Sequence, residues 1–370
     1  MRWVTSKRDE HSNLVERSYR LRATYYELTM LILLSITIGS CYSIESDCDN
    51  DFSWERTNIP PRITNAVAVT SNGDIWAITS GVSPYNRSTL RLSTDNGDTW
   101  VQKTIFPYLY TVLAISPVNG YIFTGSNATI LGTPDTEYSL LRSTDNGENW
   151  TEVTDKMKIN DILITPSGEI YLGVGRNIYY SNDNGDTWIE KGNGLFYNQT
   201  VYSLALGQDG TLYACTTDMV CRSTDGGDTW LPSSNHTNIY HNVNIPGIAI
   251  TDNGSIYAAT SRFGNKVGIL KSTDRGVTWN PFNNGRPVMD AHKIIYNPIT
   301  KDIFVDDDQY TSNVYRWSNN LGAWRLKNTG IPDETYICYF AFNPNTGQMY
   351  VATAGFDDTK GGLYRTKNYP

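Results

Sequence analysis

An eight-residue pattern that returns every 38 to 50 residues, and the short alternating strands between its copies, predict an all-β fold for this chain of 370 residues. The predicted fold is a seven-bladed β-propeller of four-stranded antiparallel blades, closed by an N-terminal strand that completes the last blade. The pattern reads Ser-x-Asp-x-Gly-x-Thr/Asn-Trp and fills residues 93–100, 143–150, 181–188, 223–230 and 272–279. Degenerate copies end at Trp54 and Trp324, so seven tryptophans mark seven repeats.

The residues between two copies of the pattern predict strands. In the unit between Trp188 and Trp230, apolar and polar residues alternate over 201–206, a Gln-Asp-Gly turn follows, and residues 211–215 alternate again. Residues 220–222 then lead into the next copy of the pattern. With the segment that carries the tryptophan, each unit has four short strands, which favours propeller blades over helical repeats of the same period.

The repeated pattern has a structural task of its own. An Asp side chain accepts hydrogen bonds from backbone N–H groups a few residues further on, and an Asn-Gly or Gly-Gly pair tolerates the left-handed turn that follows. The pattern resembles the Asp-box, or BNR repeat, of sialidases and related propellers. That resemblance implies a turn between the third and fourth strands of a blade, on the rim and away from ligand. We therefore expect structural roles for the five box aspartates, Asp95, Asp145, Asp183, Asp225 and Asp274.

The two ends of the repeat region predict how the ring closes. The last unit has three strands and stops at Pro370, where a box and a fourth strand are due. Residues 49–57 supply the end of a box and one strand, with no first three strands before them. We expect this segment to complete blade seven, which removes the open sheet edges that promote aggregation.

Residues 1–40 are predicted to be a signal peptide, and residues 41–370 a single propeller. Residues 28–38 form an apolar run that is too short for a membrane-spanning helix and suits the apolar core of a signal peptide. The sequence Ile38-Gly-Ser-Cys41 resembles a bacterial lipobox, which implies lipidation of Cys41 and anchoring in the cell envelope. The alternative is an ordinary cleavage near Ser40 and secretion.

Composition limits the partners. The formal charge is −8 for the whole chain and −10 for residues 41–370, which argues against a nucleic-acid ligand. We expect a monomer that binds a carbohydrate or a cell-surface protein and contacts the membrane only through its lipid. No cofactor or metal site is predicted. Calcium at residues 306–308 is an alternative, although a solvated loop is favoured there.

The cysteines agree with export. Once Cys41 is assigned to lipid, four remain, and Cys215 and Cys221 flank a short loop between adjacent strands. A disulfide across this hairpin is therefore expected. For Cys48 and Cys338, a second disulfide and two buried thiols are equally compatible with the sequence.

The loops that enter the first strands of a propeller gather on one face around the axis, where a ligand site is expected. Candidate catalytic residues in these loops are Arg62, Asp161, Tyr240 and His292. Candidate ligand-binding residues are Tyr108, Tyr110, Arg176, Arg262 and Arg286, some of them from the loops that join the second and third strands.

Two enzyme families resemble this chain in part. Sialidases clamp a carboxylate with three arginines and open with Arg-Ile-Pro, of which only Arg62-Ile63 is present; they also have six blades. Seven-bladed Asp-box xyloglucanases place their carboxylates between two propellers, and this chain has one. Single-propeller photosystem-assembly lipoproteins are similar to the chain in size and export.

The sequence contains none of the metalloprotease, serine-hydrolase or phosphate-loop motifs. The favoured function is therefore an exported, lipid-anchored binding propeller for a glycan or protein. The alternatives are a glycoside hydrolase or polysaccharide lyase that uses the central face, and a purely structural surface protein.

Overall fold

The computed structural model describes residues 52–60, 63–80, 87–126, 139–195, 199–232, 243–261, 267–307, 313–355 and 360–367. In these residues, 28 strands form seven four-stranded sheets, and all strand pairs are antiparallel. The first strands of consecutive sheets contact one another in a closed cycle, so the sheets are the blades of a seven-bladed β-propeller. The predicted fold class is confirmed.

The strands of each blade follow one another in the chain from the centre to the rim, except in blade seven. Blade 1 contains β2 (Ile63–Val69), β3 (Ile75–Ser80), β4 (Ser88–Ser93) and β5 (Val101–Phe106); blade 2 contains β6 (Val112–Ile115), β7 (Ile122–Gly125), β8 (Leu141–Ser143) and β9 (Thr151–Glu152); blade 3 contains β10 (Ile159–Ile164), β11 (Ile170–Val174), β12 (Asn177–Ser181) and β13 (Ile189–Glu190); blade 4 contains β14 (Val201–Leu206), β15 (Leu212–Thr216), β16 (Val220–Ser223) and β17 (Leu231–Pro232); blade 5 contains β18 (Asn244–Ile250), β19 (Ile256–Ser261), β20 (Ile269–Ser272) and β21 (Asn280–Pro281); blade 6 contains β22 (Ile294–Asn297), β23 (Asp302–Asp306), β24 (Val314–Ser318) and β25 (Ala323–Leu326); blade 7 contains β26 (Thr335–Phe342), β27 (Met349–Gly355), β28 (Gly362–Lys367) and β1 (Ser53–Arg56).

The N-terminal strand closes the ring, as the sequence predicts. β1 pairs antiparallel with β28, and Trp54 lies opposite Thr366. Beyond the strand, the Thr57 amide donates to the Leu363 carbonyl at 2.9 Å. The first and last strands of the propeller thus share one sheet.

The hydrophobic core lies between the faces of neighbouring blades. The cluster between blades 1 and 2, for example, joins Trp76, Leu90 and Phe106 to Leu113 and Ile122. Second strands are buried on both faces; every residue of β3 is buried. Alternate side chains of these strands therefore fill the two neighbouring inter-blade spaces. In the described part of the chain, no helix is long and apolar enough to cross a membrane.

Each of the five boxes is a hydrogen-bonded turn between the third and fourth strands. In box 1 (residues 93–100), Asp95 Oδ1 accepts from the Ser93 hydroxyl and the Thr99 amide, both at 2.8 Å. Asn96 and Gly97 adopt the left-handed φ values of 63° and 92° that this turn requires. Hydrogen bonds from Thr99, followed by that from Ser93, lower the pKa of Asp95 to about 2.

The box tryptophans connect consecutive blades. The indole N–H groups of Trp54, Trp188, Trp230 and Trp324 each donate to the carbonyl oxygen of the residue that follows the fourth strand of the preceding blade, at 2.6 to 2.9 Å. A glycine with positive φ packs against the backbone of three of these tryptophans: Gly330 against Trp54, Gly194 against Trp230 and Gly285 against Trp324. Each of these tryptophans therefore stabilises a blade junction as well as its own turn.

Candidate functional site

The axial cavity is lined by the first strands of the blades. Five of these strands, β2, β10, β14, β18 and β26, carry a bulge near their start. The bulged residues and the residues that immediately precede β6 and β22 line the axial cavity as a ring of seven: Asn65, Thr111, Asn160, Tyr202, Pro246, Lys293 and Cys338. With the residues that follow them, they surround a cavity of about 490 Å³. A bulge turns a side chain out of the regular alternation, which is how five of these residues reach the cavity.

Asp161 lines the cavity, but its carboxylate is engaged by backbone groups. Oδ2 accepts the Leu204 amide of blade 4 at 2.7 Å, and Oδ1 accepts the Ile162 amide at 2.9 Å. Burial raises the pKa of Asp161, while these hydrogen bonds and the charge of Lys293 oppose the increase. The side chain therefore connects blades 3 and 4 at the axis.

Lys293 is the cation of the cavity wall. Its ammonium nitrogen lies 5.8 Å from the centre of the Tyr339 ring, within cation–π range. In the described part of the chain, no carboxylate lies within ion-pair distance of this ammonium. Burial raises the pKa of the neighbouring Cys338 thiol to about 12 and also raises that of the Tyr339 hydroxyl. The cavity thus offers a cation beside an aromatic face and a protonated thiol.

Two further candidates, Arg286 and His292, lie beside the cavity without lining it. The Arg286 side chain is buried, and Nη2 donates to the carbonyl oxygens of Asp290 and Asp306, both at 3.1 Å. Burial lowers the pKa of this guanidinium, against the opposing charges of Asp307 and Asp306. The His292 amide donates to Asp306 Oδ1 at 2.7 Å. Arg286 therefore holds its own loop in place, which is a structural role and not the predicted ligand contact.

The end of β23 also differs from the prediction at Asp306 and Asp307, whereas Asp308 lies outside the described residues. Asp306 and Asp307 are 2% and 0% exposed, so they do not belong to a solvated loop. The backbone amides of His292 and Lys293 donate to Asp306, and burial raises its pKa. Among the residues that the structure describes, no group of three or more His, Cys, Asp or Glu side chains forms a metal site.

Three predicted ligand contacts, Tyr108, Tyr110 and Arg176, lie in or against the core or on the surface. Tyr110 is 4% exposed and packs 4.8 Å from the Phe106 ring, in the core between blades 1 and 2. Burial raises its pKa to about 12. Tyr108 is half-buried against the same cluster, and Arg176 is exposed at the β11–β12 turn. The structure does not place these three residues in the cavity wall. Arg62, Tyr240, Arg262 and Cys41 lie outside the described residues.

The predicted disulfide between Cys215 and Cys221 is wrong, since both residues are free thiols. In the β15–β16 hairpin, Cys215 lies opposite Val220, and Cys221 lies opposite Ala214. Consecutive strand positions point to opposite faces, so the two sulfurs occupy different inter-blade cores. Burial raises both pKa values, that of Cys221 to about 12.

Lys293, Tyr202 and Cys338 are among the cavity residues that sequence reasoning missed. The prediction grouped residues by loop, whereas the cavity is defined by register along the first strands. Each of these three residues lies immediately before the paired core of its first strand. Aligning the seven units on that core would have placed them in one ring.

The fold and its axial cavity define a single seven-bladed β-propeller with a polar centre. No protein-family model and no curated protein matches the chain. Solved propeller structures are similar to it. YCF48 bound to D1 peptide has 14% identity and a TM-score of 0.61, over 86% of this chain and 98% of that one. A catalytically inactive virginiamycin B lyase from Staphylococcus aureus, with quinupristin, has 17% identity and a TM-score of 0.63, over 86% and 100%. At these identities the likeness shows the fold alone.

Proposed function

We propose that this chain is an exported, lipid-anchored propeller that binds a segment of another protein at its axial cavity. The observation that carries the proposal is that the Asp161 carboxylate is already hydrogen-bonded to the backbone. It is the one carboxylate among the described residues that line the cavity, and both of its oxygens accept backbone N–H groups. Glycosidic hydrolysis ordinarily needs two carboxyl groups that face the substrate.

The chemistry of the ring favours a protein ligand. Lys293 offers an ammonium to a carboxylate or carbonyl, and Tyr202 and Tyr339 offer aromatic surface. Tyrosine is enriched in the buried centres of protein–protein contacts and among the residues that dominate their binding energy. One of the similar structures, YCF48, is described as bound to a peptide, which supports the same ligand class here. The geometry of the boxes further supports membership of the Asp-box propellers.

Site-specific crosslinking tests this proposal. A photoreactive phenylalanine analogue placed at Tyr202 faces the cavity, and the same analogue at Ile189, 59% exposed on the outer strand β13, is the matched control. In cells of the native host, we expect the Tyr202 position to crosslink to a discrete protein and the Ile189 position not to do so. Equal products at the two positions, or a glycan adduct at Tyr202, would contradict a protein ligand.

The second candidate function is that of a lyase or glycosidase, because a virginiamycin B lyase is among the similar structures. Mass spectrometry of quinupristin and of polysaccharides incubated with the purified protein tests it. Turnover that Asp161→Asn abolishes, with unchanged thermal stability, would replace the binding proposal by the enzymatic one.

A further inference from the structure

Arg142, Arg222 and Arg365 occupy equivalent places on the third strands of blades 2, 4 and 7. Each immediately precedes the box or the position that corresponds to it, and each pairs in register with an aromatic residue of the second strand. Each guanidinium also reaches the box of the next blade. Nη1 donates to the carbonyl of Asn184, Arg275 or Asn96, at 2.7, 3.4 and 2.5 Å respectively.

Two of these arginines have a carboxylate partner, whereas the third has none among the residues that the structure describes. Arg142 Nη1 lies 2.7 Å from Asp186, and Arg365 Nη1 lies 2.9 Å from Asp98. Both acids follow the glycine that recurs in all five boxes. In the box of residues 272–279 that position is Val277. Within the described residues, Arg222 therefore has no carboxylate at ion-pair distance, and its hydrogen bond to the Arg275 carbonyl is long.

The same box carries a second arginine in a strained backbone position. Arg275 has φ of 59°, where the other four boxes have Asn96, Asn146, Asn184 and Gly226. The left-handed region is tolerated by Asn and Gly and disfavoured for a long side chain. The Arg275 side chain is 70% exposed, and its only ion-pair contact in the described structure is from Nε to Asp209, at 3.2 Å. Backbone strain retained at an exposed charge points to a binding role.

The two arginines meet at a rim pocket of about 260 Å³, lined by Thr211, Arg222, Thr224, Thr229, Leu231 and Arg275. Of the nearby carboxylates, Asp225 accepts from Ser223 and Thr229, and Asp209 accepts the Thr211 amide, so both are already hydrogen-bonded. Leu231 is 59% exposed and adds an apolar wall. The pocket is built from the boxes of blades 4 and 5, strands β16 and β17, and the β14–β15 turn at Thr211. Among the described residues, its lining shares none with the axial cavity.

We propose that this pocket between blades 4 and 5 binds a tetrahedral oxyanion, phosphate or sulfate. Two guanidinium groups from different turns can contact several oxygens of such an ion, and the Thr224 hydroxyl can donate to another. The bound oxyanion takes the place of the box carboxylate that pairs with Arg142 or Arg365 in the other blades. Leu231 would contact the carbon skeleton if the oxyanion is a sugar ester.

The test uses two variants that return the box to its repeat consensus. Arg275→Asn removes one guanidinium and the backbone strain, and Val277→Asp supplies the missing partner for Arg222. Arginine Nε–H resonances of isotopically labelled protein are followed during titration with sodium phosphate, sodium sulfate, glucose 6-phosphate and sodium acetate, at constant ionic strength.

We expect saturable shifts for Arg222 and Arg275 with phosphate and sulfate, and none for Arg142 and Arg365, which are the internal controls. Both variants should weaken binding tenfold or more, while Arg275→Asn raises the melting temperature by about 1 to 2 °C. Tighter binding of glucose 6-phosphate than of phosphate assigns the ligand to a sugar ester; equal binding assigns it to the free ion. Shifts of equal size at all four arginines, an unchanged affinity in both variants, or a preference for acetate would overturn the proposal.

Discussion

Gly330 provides the sharpest test of how the ring is closed. It follows the fourth strand of blade 6, has a φ of 98°, and packs against the backbone of Trp54 in β1. A Cβ at this position would overlap the Trp54 carbonyl oxygen. The Gly330→Ala variant must therefore either distort its own turn or move β1, the strand that completes blade 7.

The cost has two parts. The left-handed φ costs alanine roughly 1 to 2 kcal/mol. Displacing Trp54 weakens two hydrogen bonds, from its amide to Thr329 O at 2.8 Å and from its indole N–H to Lys327 O at 2.6 Å, worth about 1 kcal/mol each. The total is about 3 to 4 kcal/mol. For a domain of this size, roughly 1.5 °C per kcal/mol gives a decrease of about 5 °C in melting temperature.

Gly254→Ala is the matched control. Gly254 has a similar φ of 78°, but a Cβ there meets nothing within 4 Å. This variant bears only the backbone cost, so we expect a decrease of about 2 °C. The assay is calorimetry of both variants beside the unmodified protein, with limited proteolysis of β1. Equal decreases for the two variants, with β1 equally protected, would refute the reasoning that Gly330 holds the closing strand.

Three further predictions follow from the boxes and the cysteines. Hydrogen bonds hold the pKa values of Asp95, Asp145, Asp183 and Asp225 at about 2, below the ordinary 3.8, so the boxes stabilise the fold above pH 4 and lose this contribution as the pH falls towards 2. Burial raises the pKa values of Asp161 and Asp306 and acts in the opposite direction, so the comparison is made with Asp95→Asn, whose urea midpoint should fall less between pH 4 and pH 2 than that of the unmodified protein. Cys41→Ser should abolish incorporation of a labelled fatty acid and release the protein from the membrane fraction; a retained label would exclude Cys41 as the lipidation site. Finally, Cys215 and Cys221 should react with a thiol reagent in unfolded, unreduced protein but not in native protein at pH 8, because both thiols are buried with raised pKa values; an absent reaction after unfolding would indicate a disulfide.

The propeller could be predicted because its turns carry local chemistry. Each box needs an Asp that accepts from residues two before and four after it, and a left-handed turn that Asn-Gly or Gly-Gly adopts readily. These needs leave the same residue types at the same spacing in five of the seven units. The last unit has no fourth strand of its own, so β28 needed a neighbouring strand from elsewhere in the chain. β1 was the strand that the repeat pattern had not assigned to another blade.

The site was harder to predict because it depends on register and on loop folding. One residue of register moves a strand side chain to the other face, which is why Cys215 and Cys221 do not meet. The bulges that bring Tyr202 and Cys338 to the axis leave no mark in local composition. Polar loop residues were expected to face a ligand, yet the Arg286 loop folds inwards and its guanidinium binds carbonyl groups of the chain itself. Asp161 was predicted for catalysis, and the structure instead shows it bound by the amides of two blades.

The pairing of β1 with β28 also constrains the order of events while the polypeptide is made. Glu55 and its partner Arg365 are 310 positions apart, so the first strand to leave the ribosome waits for the last. At ordinary rates of translation this delay is roughly 15 to 60 s. During that time the nascent chain presents an unpaired strand with Trp54 on it, and the contact that closes the ring can form only once β28 has been made. A chaperone that recognises unpaired strands would find its substrate in this interval.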